Sequence, residues 1–483
     1  MKNTWGIRKV VRFGALASTF VLAGCASFSA DQGMNAVQEF AGAPIGKDVM
    51  AIRNEEKAFA ARAIIDNLLK KGLSADGAVQ IALLNNRDLQ AAYNQLGISE
   101  AQMVQASLPP NPTFSIERIA GGGVVEIEAR VIGNILSLLT LPARAQIAAD
   151  RFRQAQLQAG ETTLRVATEA RRAYFRALAA RVIVGFLVES QSAAEAAADL
   201  SKQLGEAGTM NKLDQARNQV FFAELTAQLA QARQLATTER ERLTRVLGLW
   251  GPDIDFRLPA FLPRFPAKPG AQSDIEREAV ARRLDLQMAR IEVVMQGRSS
   301  NLTSATRFVS VLDLAGIKKR VTAQTAEGRD VEKERGFDLE LQIPIFDLGT
   351  SKVRQAEETY MQAVNRLAAK AINVRSEARE AYGTYRAAYD IARHYQREVL
   401  PLRKIISDET LLRYNAMQID VFTLLTEARQ RIAATIAAIE TERAFWLANA
   451  NLSAAVLGGG ALGGSDGESG SPAMAAAEGG GGH

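Results

Sequence analysis

The chain has 483 residues, 47% of them hydrophobic, so it can bury a large core, and its length permits one to four domains. Aromatics make up only 6%, and the dominance of Ala, Leu, Gln, Arg and Glu suits long helices packed on small side chains better than a compact enzyme. The formal charge of +5 does not imply nucleic acid: Lys2, Arg8, Lys9 and Arg12 supply four of those charges in a segment expected to be removed, and the other charges are interspersed, with no basic stripe for a phosphate backbone.

The basic n-region from Lys2 to Arg12 precedes an apolar run, Phe13 to Val21, too short to span a bilayer as a mature helix. The run ends in Leu22-Ala23-Gly24-Cys25, which resembles the lipobox of bacterial lipoproteins. That resemblance implies a signal peptide over 1–24 and acyl groups, palmitate among them, on Cys25. Cys25 is the single cysteine of the chain and has no disulfide partner within it; the alternative is an ordinary buried thiol behind a non-lipoprotein signal. Several acyl chains, at about 0.8 kcal/mol per buried CH₂, hold a protein stably at a membrane. Ala26 rather than Asp follows the cysteine, and by the same resemblance this implies sorting to the outer membrane. Residues 25–73 are then an N-terminal, lipid-anchored segment.

From residue 74 the chain follows one plan twice, over 74–250 and 275–457, with a linker at 251–274 between them. Ala78-Val79 followed by Arg87-Asp88-Leu89-Gln90 recurs as Ala279-Val280 followed by Leu284-Asp285-Leu286-Gln287. Leu141-Pro142-Ala143-Arg144 opens one long helical stretch and Asp347-Leu348-Gly349-Thr350 opens the other. Each runs about 60 residues, roughly 90 Å as a helix, to a break and then returns. The returns carry apolar residues at spacings of three, four and seven, as in Leu225, Leu229, Ala232, Ala236 and Leu243, and in Ile432, Ile436, Ile439 and Trp446. Helices of that length need partners along their whole extent. An intracellular coiled-coil rod explains them equally well, but not what lies between them.

Between the short leading helices and the long ones the period changes to two. Thr113 to Ile119 and Val125 to Val131 flank a Gly121-Gly122-Gly123 turn, and Val125, Ile127, Ala129 and Val131 alternate with Glu126, Glu128 and Arg130. In the second copy Phe337, Leu339, Leu341 and Ile343 alternate with Asp338, Glu340 and Gln342. Such strands suit a barrel wall with lipid outside and water within, or a soluble antiparallel sheet packed on a helix. The first strand of the second hairpin is expected within Arg307 to Leu314, where no clean alternation fixes its facing. In lipid, four strands leave two unpaired edges, so closure requires other subunits. The tail 458–483, rich in Gly, Ala and Ser, is expected to be disordered.

These pieces together resemble the TolC-type outer-membrane efflux family. The carriers are Ala78-Val79-Gln80-Ile81-Ala82-Leu83 with Asn85-Asn86-Arg87-Asp88-Leu89, Ala101 to Leu108 leading into Pro109-Pro110-Asn111-Pro112, Ile343-Pro344-Ile345-Phe346-Asp347-Leu348-Gly349, and the tips followed by Ala216-Arg217 and Ala428-Arg429. The resemblance implies a mostly α fold with a small β part. Long antiparallel helical hairpins form a tunnel, and two β-hairpins per chain give four strands to a trimeric 12-stranded transmembrane β-barrel. It also implies a homotrimer in the outer membrane with a large periplasmic portion, a passive conduit of a tripartite efflux system that joins a periplasmic adaptor (membrane fusion) protein and an inner-membrane transporter. By the same resemblance the tips, Gly205, Gly208, Thr209, Met210 and Asn211 in one, Tyr414, Asn415, Ala416, Met417 and Gln418 in the other, dock the adaptor, although plain turn chemistry also explains them. Met417 stands near where the family usually has Gly, and Met supplies adaptable apolar contact. In some members Asp residues after the second tip ring the pore. Here that stretch has Asp420 and Glu427, with Leu424 at one expected acidic position, and solvated helix charges are the bland alternative. His394 and His483 are the two histidines, and neither a His/Cys cluster nor a phosphate loop is present. No catalysis, cofactor or metal is expected. The competing function is a lipid-anchored periplasmic coiled-coil structural or adaptor protein.

Overall fold

Several helices in the chain start where the sequence supplies a side chain to cap them. The computed structural model describes residues 28–270, 274–325 and 328–460. Cys25, the signal peptide and nearly all of the tail lie outside the described residues. Asn54 opens α1 (Glu55–Lys70), Ser74 opens α2 (Ala75–Asn85) and Asn86 opens α3 (Arg87–Ser107), each accepting from an amide three residues on. After β1 (Thr113–Gly121) and β2 (Val124–Asn134) comes α4 (Leu141–Glu206), with Pro142 in its first turn, where a missing N–H costs nothing. Its 66 residues extend about 100 Å. The chain returns as α5 (Lys212–Leu247), which stops at Gly248 with φ +67°.

The second copy repeats the order: α6 (Ile275–Arg282), α7 (Leu284–Ala305), β3 (Val311–Thr325), β4 (Gly328–Gln342), α8 (Thr350–His394), α9 (Leu400–Asn415) and α10 (Val421–Leu457). Two details differ from the sequence expectation. The β3 strand begins at Val311 and runs to Thr325, well beyond the window ending at Leu314. The second long stretch is interrupted by a π-turn at Tyr395–Val399. Pro401 lies in the turn that follows, and a wider turn removes the demand for the amide hydrogen that proline lacks.

Small side chains let the helices approach closely. Along α4 the buried positions include Ala159, Gly160, Ala167, Ala170, Ala173 and Ala177. The segment before α2 belongs to this core, since Val37, Ala51 and Ile65 are buried together with Leu83, Leu89, Leu243 and Leu247. The two copies meet at an aromatic cluster. Phe175 of α4 stacks on Trp446 of α10 at 5.1 Å, and Phe265 of the linker lies 4.8 Å from Phe445. The linker is strapped down there, because the Tyr389 hydroxyl hydrogen-bonds to the Pro266 and Ala267 carbonyls at 3.1 and 3.0 Å.

Family-like Asn85-Asn86 has a physical job. Asn86 caps α3 with its carbonyl and gives its amide to the Val246 carbonyl at 3.0 Å, while Asn85 reaches the Gly248 carbonyl at 2.6 Å. The pair latches the end of α5 onto the start of α3. In the second copy Arg283 stands at the equivalent point, buried, forked onto Asp285 at 3.0 and 2.8 Å and also bound to Glu377 of α8.

Candidate functional site

All four strands form one antiparallel sheet in the order β1-β2-β3-β4, so the two hairpins join through β2 and β3. Edges β1 and β4 are left without partners in the protomer. Residues directly opposite in register share a face, which assigns every side chain. Phe114 lies opposite Val131, Val131 opposite Gly316, and Gly316 opposite Phe337, placing Leu312, Leu314, Leu339 and Leu341 on that same face. The facing of the β3 strand, open in the sequence, is thereby settled.

No helix covers this apolar face: Phe337 is 80% and Phe114 is 63% exposed. The soluble sheet-on-helix arrangement therefore does not describe the protomer. The opposite face would be the concave one in a barrel with lipid outside, and Ala315 on it is only 7% exposed. That face is also acidic. Glu117 faces Glu128 and Asp313 faces Glu340 across the strands, with Glu126, Glu332, Glu334 and Asp338 beside them. Only Arg130, paired with Glu128, and Lys319, paired with Glu126, offset them among the described residues. Sequence reasoning missed the acids of β4 nearest the turn, because Val331 to Arg335 alternates acid with cation rather than acid with hydrocarbon.

At the other end of the long helices the two tips fold alike. In the first, the Ala207, Gly208 and Thr209 amides donate to the carbonyls of Gln203, Gly205 and Leu204; in the second, Ala416, Met417 and Gln418 donate to Leu412, Tyr414 and Arg413. Gly208 and Met417 occupy the equivalent left-handed position, at φ +77° and +56°. Asn211 then caps α5 and Asp420 caps α10, at equivalent places, accepting from the amides of Asp214 and Thr423. An added Cβ at Gly205 would sit 2.0 Å from the end of the Gln215 side chain, which would have to swing away. Met210 meets the Ser201 hydroxyl at 3.0 Å, and Met417 is 92% exposed. Asn415, Ala416 and Gln418 are exposed around it.

The structure does not bring Asp420 and Glu427 into one constellation. Asp420 is exposed at the helix start, where the Thr423 hydroxyl and then the Thr423 amide hold its carboxyl below the ordinary carboxylate range. Glu427 is buried in the seam between α9 and α10, 3.3 Å from Arg403, with Oε1 lacking a partner in the protomer. In the protomer it faces its own hairpin rather than Asp420. Among the described residues no group of three His, Cys, Asp or Glu side chains is placed to hold a metal ion. An apolar groove of about 910 Å³ runs between α4, α5 and α10, lined by Leu187, Phe221, Leu225, Leu235, Ile432 and Ile436.

The chain superposes on the Campylobacter jejuni CmeC outer membrane channel with a TM-score of 0.66 at 17% identity, over 80% of this chain and 86% of that one. Against the outer membrane protein VceC of Vibrio cholerae the TM-score is 0.66 at 12% identity, over 80% and 96%. Against the open state of the Neisseria gonorrhoeae MtrE outer membrane channel it is 0.62 at 15% identity, over 80% and 89%. No protein-family model and no curated protein matches the sequence. At these identities the likeness is one of fold, and it takes in the helical tunnel and the β part alike.

Proposed function

We propose, from the premise that the chain has the fold of TolC-type outer-membrane channels, that it is the outer-membrane conduit of a tripartite efflux system. The observation that carries this reading is the sheet. Its convex face is bare hydrocarbon next to the helices and basic nearer the turns, its concave face is acidic, and both edges are open. In lipid an unpaired strand edge costs several kcal/mol per orphan backbone group, so the sheet must be completed by sister chains. Three copies would supply twelve strands, with the acidic faces around a watery lumen. The apolar groove beside α5 and α10 supports the same closure, since a neighbouring hairpin can fill it.

In this reading the long helices form the periplasmic tunnel, and the tips at Gly205 to Asn211 and Asn415 to Gln418 meet an adaptor linked to an inner-membrane transporter. Cys25 carries the lipid anchor after removal of 1–24. Asp420 remains a candidate for the pore entrance. The repeats 74–250 and 275–457 are the two halves of each subunit's wall, and the chain works as a passive duct with no bond-making step. The test is reconstitution of purified full-length protein in planar bilayers, with sizing of the unheated sample. A heat-resistant trimer from outer-membrane fractions with discrete, cation-preferring conductance is expected. A salt-extractable monomer without conductance would overturn the duct in favour of a lipid-anchored coiled-coil structural protein.

A further inference from the structure

The convex face of the sheet carries two chemistries, separated along the strands. Towards the helices it is apolar, with Phe114, Val131, Leu314, Phe337, Leu339 and Leu341. Towards the hairpin turns it becomes basic in two successive cross-strand rows. Lys318 lies opposite Arg335 in the first, and Arg320 opposite Lys333 in the second, a row that Arg118 joins from β1 through Ile127. These five cations are exposed, as is Arg329, which lies on the same face next to the turn. None has an ion pair among the described residues, and the sheet's ion pairs, Arg130 with Glu128 and Lys319 with Glu126, both lie on the concave side.

This segregation has a consequence for any assembly of the chain. Every acid of the four strands faces inward, so a sister strand added at either edge brings no carboxylate to the convex side. The cations must find their counter-charge outside the protein. A cation held against hydrocarbon is costly, and the long stems of Lys and Arg allow the heads to reach beyond the apolar zone to the interface. The turns lie at the end of the sheet away from the tunnel helices, hence at the outer leaflet. This step rests on reading the sheet as a membrane barrel.

We propose that Arg118, Lys318, Arg320, Lys333 and Arg335 form a belt that binds the phosphate groups of phosphorylated lipid headgroups in the outer leaflet. Adjacent strands set the cations about 5 Å apart across each row, close enough for two to share one phosphate. The guanidinium forks of Arg fit phosphate oxygens in pairs, and Lys adds a compact point charge. Repetition around a closed barrel would make the belt continuous.

The test uses full-length protein in detergent and native mass spectrometry, with three probes: bisphosphorylated lipid A, the same lipid after enzymatic dephosphorylation, and inorganic phosphate. The wild type should retain the phosphorylated lipid at least about tenfold better than the dephosphorylated one, with a preference that falls as salt rises. Replacing all five cations with Gln should abolish the preference. Equal retention of the two lipids by wild type would overturn the proposal, and that comparison needs no variant to fold. Displacement of the lipid by equimolar inorganic phosphate would also overturn it. Conductance of the same preparation separates the two levels of the argument. A pore without lipid preference removes the belt alone, whereas no pore removes the barrel and the belt with it.

Discussion

Met417 holds a left-handed backbone where the equivalent tip residue is Gly208, and its side chain is spent on solvent. A Cβ in that conformation costs about 1–2 kcal/mol relative to glycine, and the hydrogen bonds of the second turn are no better than those of the first. Nothing inside the protomer returns that cost, which points to a contact made outside it. Met417→Gly should therefore slow exchange of the turn amides at position 417 and Gln418 about tenfold while weakening adaptor capture. An exchange rate left unchanged would mean that the turn is not strained. Asp420 allows a second test at the same scale. Its folded pKa lies below the unfolded value, so the cap is complete above the ordinary carboxylate range and is lost as pH falls through the lower, folded value. Acidification should loosen the start of α10, as exchange at residues 421–424 would report. Asp420→Asn should erase that pH dependence and keep the cap. If the same variant alters the ion selectivity of the pore, Asp420 also lines it; unaltered selectivity leaves it a cap alone.

Arg283 shows how an element junction in the second copy is held by charge where the first uses amides. Buried beneath α8, its guanidinium is satisfied by Asp285 and Glu377, and Lys370 stands 3.7 Å from Asp285. Burial alone would raise the Asp285 pKa, but the hydrogen bonds and charge of Arg283 outweigh it and hold the carboxyl below its usual range. Asp285→Ala leaves Arg283 with Glu377 but two of its buried N–H donors unmatched, and should cost about 1–3 kcal/mol, read as a lower denaturation midpoint. An unshifted midpoint would show that water reaches Arg283. This junction was legible in the sequence only as a recurring Asp-Leu-Gln motif, because no local pattern tells which distant carboxylate a buried arginine will meet. The helices were legible nearly to the residue, since apolar spacing persists for many turns and Pro142, Gly208 and Gly248 punctuate it. β3 was not. From Ile317 its apolar residues, Ile317 and Val321, face inward beside Lys319 while Lys318 and Arg320 face outward, which breaks the polarity rule by which a half-buried strand is recognised. For a related reason, position along one helix did not reveal that Arg403 of the preceding helix sits against Glu427.

For the whole molecule, the claim that matters is which side of the sheet meets lipid, and two adjacent residues decide it. Leu339 stands on the convex face opposite Leu314, whereas Glu340 stands on the concave face opposite Asp313. Carboxylates directly opposed across strands repel, and a sheet retains them at some loss of stability. Within the water-filled lumen proposed above the repulsion would be screened, and an acidic ring would draw cations through it. An arginine at position 339 would enter hydrocarbon at about 2–4 kcal/mol per chain near the bilayer midplane, multiplied by every subunit in the ring. An arginine at position 340 would instead gain Asp313 as a partner. Leu339→Arg should thus deplete assembled trimer from outer-membrane fractions, while Glu340→Arg should assemble normally and shift the reversal potential of single channels away from cation preference. Equal behaviour of the two variants would mean that neither face sees hydrocarbon, and the closed ring of strands would lose its physical basis, because only lipid forbids the open edges of β1 and β4.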